Sequence, residues 1–364
     1  MNRKKIYSIG LASAVLVLFL ILIPFSASSA SEQNASSIVT ETRITTNDSN
    51  QQNPAIYGNW IVWEDSRNGN LDIYMYDLFT SRETQITTNG SDQWGPDIYG
   101  DRIVWLDKRN SESIPDSSFG GFDVYMYNLS TREETRISKN TVPINPDAFL
   151  KVDIDGDKIV WGPGGDGISV YNISTDERTD INSSISLYNI AFSGNKIAGT
   201  DDMDGREGIV YVYDLSTSNL TQITANESAY GGPTIFGNRV VWPDSRNGNN
   251  SSGFDLYIYN LSSKNETQIT TNNSVAWSVP RIYGDRIVWM DDRNNTWDIY
   301  MYDLSTKNET QVSTNGSAYQ PSIYNDSIGG SGIVWADNRY GNSDIYLATI
   351  PDSSSLYPPH LSQT

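Results

Sequence analysis

Carboxyl groups are the commonest acid–base side chains of this chain. The sequence has 44 Asp and Glu residues, no cysteine and a single histidine, His360, in a polar tail. Thiol nucleophiles, thiolate metal sites, histidine triads and multi-histidine metal sites are therefore excluded within one chain. Two carboxyl groups can share acid and base work without histidine. Because Asp and Glu occur along the whole chain, their presence alone selects no catalytic residue, and none is predicted.

Catalysis in a repetitive chain requires one repeat to differ from the others, so that unique groups meet at one place. The two irregular stretches are 106–124 and 139–168, which depart from the pattern of the other repeats. Any active site is predicted to border these stretches.

Oxygen-rich loops raise the question of calcium, which takes its ligands from carboxylates, carbonyls and amides. The segment DDMDGRE at 201–207 offers Asp201, Asp202 and Asp204, but it lacks the twelve-residue ligand spacing that ends in a bidentate Glu. The segment DIDGDK at 153–158 aligns with DIYGDR at 97–102 and is first a hairpin turn. We predict no metal ligands and no cofactor, with calcium as the alternative.

Polar loops of similar sequence carry an arginine at the same place in five repeats, as in WEDSRNGNLDIYMYDL at 63–78. Asp65 and Asp72 can accept hydrogen bonds from the loop's own amides, and Asn68-Gly69 suits a turn that needs positive φ. Repetition favours a structural pairing of each arginine with carboxylates of its own loop or of the next repeat. Contact with a ligand is the alternative. The arginines are Arg67, Arg109, Arg246, Arg293 and Arg339.

An aromatic residue also recurs shortly before the proline that opens a repeat. Aromatic faces can stack on sugars or peptide segments, and the neighbouring loops supply polar donors. The alternative is that each ring fills the gap between adjacent repeats. Together with the five arginines, the predicted ligand-binding set contains Trp94, Tyr230, Trp277 and Tyr319.

The repeated unit that must position these residues has four parts. A segment such as PAIYGN at 54–59 leads into IVW or VVW, then a polar loop, then DIYMYDL or a variant, and finally ETQITTN or a variant. Short segments rich in β-branched and aromatic residues, separated by Gly-Asn, Gly-Asp and Asn-Gly turns, predict strands joined by hairpins. The tryptophan of the second part is expected in the core. It recurs as Trp63, Trp105, Trp161, Trp242, Trp289 and Trp335, and Gly199 takes its place in one unit.

Spacings of 38 to 56 residues between these positions indicate a propeller. Four strands in each of seven units predict an all-β, seven-bladed β-propeller. The last unit stops at Ile350 without an ETQIT segment, whereas ETRITTN at 41–47 stands alone before the first unit. The strand at 41–46 is therefore predicted to complete the last blade and close the ring, which removes open sheet edges. The predicted ligand-binding residues would then line the mouth of the central channel.

The unit resembles the repeat of TolB-like β-propellers, in which a turn, a short apolar strand, an Asp-rich loop and an IYVMDL-type strand recur. The resemblance covers 41–350, and the unit is also similar to TolB-like propellers among surface proteins of methanogenic archaea. Here YGDR or YGNR replaces the family's Pro-Asp-Gly-Lys turn, and there is no room for the small N-terminal α/β domain of bacterial TolB. The resemblance implies the fold and leaves the function open.

The first thirty residues differ from the rest. Arg3, Lys4 and Lys5 precede an apolar run and small residues, which is typical of a secretory signal, and about 20 apolar residues could alternatively stay as a membrane anchor. We divide the chain into a signal or anchor at 1–30, a linker at 31–40, the propeller at 41–350 and a polar tail at 351–364. The propeller is expected outside the cell or on its surface, and Asn-x-Ser/Thr triplets fit a glycosylated exterior.

A net charge of −19 argues against nucleic acid as a partner, since phosphates demand a basic surface. Export, repetition and the lack of a unique chemical constellation favour a non-catalytic propeller that binds a protein or glycan at the cell surface. The alternatives are a propeller enzyme acting on polysaccharide, either a lyase or a glycosidase, and a structural component of a surface layer. Membrane contact is expected only through an uncleaved N-terminal segment.

Overall fold

A computed structural model of the protein describes residues 39–110, 121–138, 142–143, 151–164, 167–181, 185–202, 207–248, 253–276, 278–325 and 330–351. Strands joined by turns and bends make up this part of the chain, and it contains no helix. Accordingly, no helix in these ranges has the length and apolar character needed to cross a membrane. The predicted signal or anchor at 1–30 and the tail after Pro351 lie outside the described residues.

The described strands form seven antiparallel sheets, which we call blades 1 to 7. Strand β1 (Thr40–Arg43) precedes blade 1. Blade 1 contains β2 (Gln51–Tyr57), β3 (Trp60–Asp65), β4 (Asp72–Asp77) and β5 (Arg82–Gln85). Blade 2 contains β6 (Gln93–Tyr99), β7 (Arg102–Asp107), β8 (Gly121–Asn128), β9 (Glu133–Arg136) and the two-residue β10 (Val142–Pro143). Blade 3 contains β11 (Lys151–Asp155), β12 (Lys158–Gly164), β13 (Gly167–Asn172) and β14 (Glu177–Ile181).

The remaining blades follow the same order. Blade 4 contains β15 (Tyr188–Ser193), β16 (Lys196–Thr200), β17 (Val210–Asp214) and β18 (Asn219–Gln222). Blade 5 contains β19 (Thr234–Phe236), β20 (Arg239–Asp244), β21 (Asp255–Asn260) and β22 (Asn265–Gln268). Blade 6 contains β23 (Arg281–Tyr283), β24 (Arg286–Asp291), β25 (Asp298–Asp303) and β26 (Asn308–Gln311). Blade 7 contains β27 (Ala318–Asn325), β28 (Gly330–Asp337) and β29 (Asp344–Pro351).

The first strands of adjacent blades contact one another in a cycle that returns from β27 to β2, so they line a central channel. The predicted seven-bladed β-propeller is confirmed. In blade 7 the fourth strand is β1, which pairs antiparallel with β29. The structure bounds β1 at Thr40–Arg43, where the sequence predicted 41–46. Two ion pairs join β1 to blade 7, one from Arg43 to Asp344 and one from Glu41 to Arg339, each at 2.7 Å.

The core lies in layers between blades, and the second-strand tryptophans are buried there as predicted. Trp105 of blade 2, for example, packs against Ala55, Val62 and Met75 of blade 1. In blade 4, a Cβ at Gly199 would lie 3.0 Å from the backbone oxygen of Tyr188 and 3.1 Å from Leu187. The chain around β15 therefore fills the space that an indole occupies in the other blades.

A bulge interrupts four of the first strands near the face that carries the inter-blade loops, which we call the loop face. The bulged residues Asn53, Gly95, Asn189 and Gln320 have φ values of 51°, 61°, 50° and 53°. Asn53 N–H also donates to Gln320 Oε1 at 2.9 Å, which ties blade 1 to blade 7. Because a bulge re-aims the residues after it, it sets the direction of the side chains that follow it in each of these four strands.

Candidate functional site

Each of the five predicted arginines lies over the tyrosine of the third strand and joins two carboxylates. In blade 6, Arg293 Nη2 lies 2.7 Å from Asp291 Oδ2, and its Nη1 binds Glu309 of the fourth strand. The guanidinium carbon stands 3.9 Å from the ring centroid of Tyr300, and Trp289 Nε1 donates to Asp291 at 2.9 Å. We call this arrangement the arginine clamp. The other clamps are centred on Arg67, Arg109, Arg246 and Arg339.

In each clamp an arginine is paired with carboxylates, as its repetition at the same place in five units led us to expect. The second carboxylate of each clamp lies on the outermost strand of its blade, so the guanidinium groups reach away from the channel. Burial alone would raise the pKa of Asp291, but hydrogen bonds from Arg293 and Trp289 outweigh it and lower that pKa. At Asp337, hydrogen bonds from Arg339 and Ser317 likewise outweigh burial and lower the pKa. Ligand binding by the five arginines stays a prediction.

Three of the four predicted aromatic residues are half-buried beside the first strands, and each has a partner within the protein. Trp277 lies outside the described residues. Each of these contacts lies within one blade, so the filling of gaps between blades and the stacking on a ligand both stay predictions. The contacts are Trp94 edge-on to Phe122 (centroids 3.9 Å apart), Tyr230 stacked on Phe254 (4.3 Å), and the Tyr319 hydroxyl donating to Ser343 Oγ (2.6 Å).

The middle of the channel holds a charged group that the sequence analysis did not single out. Along β11 burial alternates, with Val152 and Ile154 in the core and Lys151, Asp153 and Asp155 half-buried on the channel side. Asp97 on β6 lies beside Asp153, and their carboxyl groups are hydrogen-bonded to each other. A hydrogen bond between two carboxyl groups needs a proton on one of them. We call Asp97 and Asp153 the channel pair.

The two carboxyl groups of the channel pair have opposite pKa shifts. Burial, and then the charge of Asp153, raise the pKa of Asp97 well above its usual value. Burial acts in the same direction on Asp153, but the charge of Lys151, the hydrogen bond with Asp97 and the charge of Arg281 outweigh it and lower the pKa of Asp153. Lys151 Nζ lies 2.9 Å from Asp153 Oδ2. Asp97 therefore holds a proton more readily than Asp153, and Asp153 ionises more readily than Asp97.

Backbone groups of the neighbouring blades fix the orientation of the channel pair. Ile154 N–H of blade 3 donates to Asp97 Oδ2 at 3.0 Å, and Phe192 N–H of blade 4 donates to Asp153 Oδ2 at 3.1 Å. The charge of Arg281, on the first strand of blade 6, also lowers the pKa of Asp153. The site is thus assembled from four blades and is held by main-chain donors, which suits a fixed catalytic geometry.

The sequence carries a signal for the channel pair in its first strands. The residue after the proline of each unit, or its equivalent, occupies the same place on the first strand, and it is charged in three blades only among the seven. Asp153 lies within 139–168, one of the two stretches that the sequence predicted an active site to border. The equivalent residues, from blade 1 to blade 7, are Ala55, Asp97, Asp153, Ala191, Thr234, Arg281 and Ser322.

The described residues contain no group of three or more His, Cys, Asp or Glu side chains that could hold a metal ion. Of the predicted calcium segment, Asp201 Oδ1 accepts a hydrogen bond from Ile209 N–H at 2.8 Å, and Asp204 lies outside the described residues. Asp201 therefore supports the chain beside β17. The turn at 153–158 is a hairpin turn between β11 and β12, as predicted.

No protein-family model and no curated protein matches the sequence. Solved structures match over most of the chain. An oligogalacturonate lyase in complex with manganese is 16% identical with a TM-score of 0.61, covering 88% of this chain and 95% of that one. An oligogalacturonate lyase from Vibrio parahaemolyticus is 16% identical with a TM-score of 0.63, covering 88% and 96%. The β-propeller domain of the trilobed protease from Pyrococcus furiosus is 12% identical with a TM-score of 0.58, covering 88% and 100%.

These comparisons correct the leading functional expectation. The resemblance to TolB-like propellers is supported at the level of the propeller fold. However, two of the most similar structures are enzymes, and this finding overturns the expectation of a non-catalytic binding scaffold in favour of the alternative, a propeller enzyme that acts on polysaccharide. At these identities the likeness establishes the fold alone, so the activity has to be argued from the residues of this chain.

Proposed function

We propose that this protein is a lyase that cleaves an acidic polysaccharide by β-elimination at the channel pair. The observation that carries the proposal is the opposite pKa shift of two hydrogen-bonded carboxyl groups. Environments that push the pKa values of neighbouring groups apart assign one as acid and the other as base. Asp153 then removes the proton from the carbon next to the sugar carboxylate. Asp97 gives its proton to the leaving glycosidic oxygen as the C–O bond breaks.

The proton balance of this step is closed. One proton moves to Asp153 and one leaves Asp97, so elimination needs no oxidant or reductant, and exchange with water restores the starting protonation. Negative charge builds up on the substrate carboxylate while the carbon is deprotonated. Lys151 and Arg281 are the cations placed to stabilise it, because fixed charges near a developing anion lower the barrier.

The same geometry argues for a lyase over a glycosidase. Glycosidases place two carboxyl groups about 5 to 9.5 Å apart, on opposite sides of the scissile bond. The Asp97 carboxyl group accepts a hydrogen bond from the N–H of Ile154, the residue after Asp153, at 3.0 Å, so the two carboxyl groups lie side by side and not on opposite sides of a sugar ring. Syn elimination instead needs an acid and a base that reach adjacent atoms on one side of the sugar.

One of the similar lyases is in complex with manganese, but the channel pair does not suit such an ion. It offers two carboxyl groups, one of them protonated, and Lys151 and Arg281 already place two cations beside them. A divalent cation prefers several oxygen ligands without positive neighbours. No step is therefore assigned to a metal.

We further propose that the enzyme acts outside the cell. The support is the positively charged start, the apolar run and the small residues within 1–30. Extracellular polysaccharide would be accessible to the propeller there, whether the segment is cleaved or stays as an anchor.

The direct test is an activity screen on polygalacturonate, alginate and a glucuronate-containing polymer, each with a neutral polymer as control. The proposal predicts ultraviolet absorbance from an unsaturated uronate product with at least one acidic polymer and none with the neutral one. New reducing ends without this absorbance would indicate hydrolysis and would contradict the lyase.

A further inference from the structure

An arc of aromatic side chains lies at the end of the channel opposite the loop face. Each belongs to the last or second-to-last residue of a first strand, at the end that leads to the first hairpin turn of its blade. Neighbouring ring centroids are 4.2 to 4.7 Å apart, so adjacent rings are in van der Waals contact. We call this arc the aromatic floor, and its members are Phe236, Tyr283, Tyr324, Tyr57 and Tyr99, in order from blade 5 through blade 7 to blade 2.

The hydroxyl groups of the floor meet inside the channel. The neighbouring hydroxyl groups of Tyr57 and Tyr283 raise the pKa of Tyr324, and that of Tyr57 raises the pKa of Tyr99. Burial raises the pKa of Tyr324 and of Tyr99, and the Tyr283 hydroxyl contributes to the shift at Tyr99 although the two lie on blades 6 and 2. Interaction between hydroxyls from opposite sides of the ring means that they converge near the channel axis.

The part of the ring without aromatic residues is closed by short polar side chains. Asp155 of blade 3 accepts a hydrogen bond from Gly194 N–H at 2.6 Å, and Ser193 of blade 4 accepts one from Gly237 N–H at 3.3 Å. These bonds join the turn ends of blades 3, 4 and 5. Contacts between neighbouring blades therefore continue from blade 3 to blade 5 at this end of the channel.

The floor lies directly below the channel pair. Tyr99 follows Asp97 by two residues on β6, and Asp155 follows Asp153 by two on β11. Two residues of a strand span about 7 Å, which is close to the length of one sugar ring. A saccharide bound at the channel pair therefore has room for roughly one further ring before it meets the tyrosine hydroxyls.

We infer that the channel is a blind pocket, open at the loop face and closed by the aromatic floor. A polymer cannot thread through it, so the site takes the end of an acidic chain and releases short products from that end. This inference rests on the proposed lyase activity and specifies its mode of action: short oligouronates and chain ends are the substrates.

The test compares viscosity with bond cleavage during digestion of the acidic polymer that gives the strongest activity. End-directed cleavage releases unsaturated short products while the viscosity of the polymer is retained. The double variant Tyr57→Ala/Tyr324→Ala opens the floor and is expected to lose this end selectivity, so that viscosity falls earlier per bond cleaved. Tyr57→Phe/Tyr324→Phe keeps the rings and is expected to retain end selectivity, which covers the case in which the alanine variant fails to fold.

Phe79→Ala is the matched control, because Phe79 lies in the turn between β4 and β5, is 85% exposed and takes no part in the floor. It is expected to behave as the wild type. An immediate fall in viscosity with the wild-type protein would overturn the blind pocket while leaving the lyase intact. Absence of cleavage of every polymer and oligouronate would overturn the proposed function, and the blind pocket with it.

Discussion

Blades 1, 2, 5, 6 and 7 differ from blades 3 and 4 in how they are held together. The first group carries the arginine clamps, in which one guanidinium joins the second, third and fourth strands. In blade 3 Pro163 stands at the position of the clamp aspartate, two residues after Trp161, and Arg178 lies 5.4 Å from the Trp161 ring. In blade 4 Gly199 replaces the tryptophan. Yet blades 3 and 4 hold Asp153 and the backbone donor that fixes it. Repeated residues therefore stabilise the ring, and departures from the repeat place the chemistry.

The largest expected effect is on activity and concerns the channel pair. Asp153→Asn keeps the shape of the side chain and removes the base, so kcat/KM is expected to fall by roughly 10²- to 10⁴-fold. Asp155→Asn is the matched control, because Asp155 lies on the same strand and the same side, two residues nearer the floor. Initial rates of unsaturated-product formation measure both. Equal losses in the two variants would mean that charge in the channel matters more than the base itself.

A substitution in an arginine clamp is expected to change stability and not activity. Asp291 is fully buried and binds Arg293, Trp289 and Ser274, so Asp291→Ala is expected to lower the free energy of unfolding by about 3 kcal/mol. The activity of the folded variant should match the wild type. Asp180→Ala in blade 3 is the comparison, because its ion pair with Arg178 is largely exposed and is expected to contribute less than about 1 kcal/mol. Urea unfolding of both variants measures the difference, and similar losses would refute the special role of the clamps.

The activity of the channel pair and the stability given by the arginine clamps should also respond to pH in opposite directions. The pKa of Asp97 is raised, so its contribution to stability, and the proton that it donates, are present at low pH and are lost as the pH rises through that pKa. The pKa of Asp291 is lowered from 3.8, so its contribution is present above 3.8 and is lost as the pH falls through the lowered pKa. Activity should therefore fall on the alkaline side, and clamp stability should fall on the acid side. An activity profile that stays flat as the pH rises would contradict the assignment of Asp97 as the acid.

The smallest expected effect concerns the clamp that takes its outer carboxylate from β1. Glu41→Gln removes the ion pair with Arg339 and is expected to cost about 1 kcal/mol. Glu309→Gln makes the equivalent change in blade 6, where both partners lie within one continuous stretch of chain. A larger loss of melting temperature for Glu41→Gln would indicate that β1 holds the ring closed. Equal losses would assign the two ion pairs the same local role.

The fold could be predicted because its causes are local. Short apolar strands and hairpin turns are encoded within each unit, the tryptophan recurs in six of them, and counting the units gives the seven blades. The arginine pairing remained open because the second carboxylate lies beyond the third strand, as in Arg67 with Glu83. Only the folded blade shows that this carboxylate is within reach.

The channel pair could not be predicted in the same way. Asp97 and Asp153 are 56 residues apart and meet because the ring places consecutive first strands side by side. In the sequence DIDGDK reads as another copy of DIYGDR, so Asp153 looks like part of a turn motif. The charge of Arg281 acts on Asp153 from blade 6, an effect that depends on the closed ring of blades.

The most direct test of the account is a crystal structure with a short oligouronate bound to the Asp97→Asn variant, in which turnover is slowed. The account predicts the sugar in the channel, with its carboxylate between Lys151 and Arg281, its reacting carbon beside Asp153, and its end near the aromatic floor. A sugar bound at the loop-face mouth against Trp94 or Tyr319, with the channel pair untouched, would contradict it.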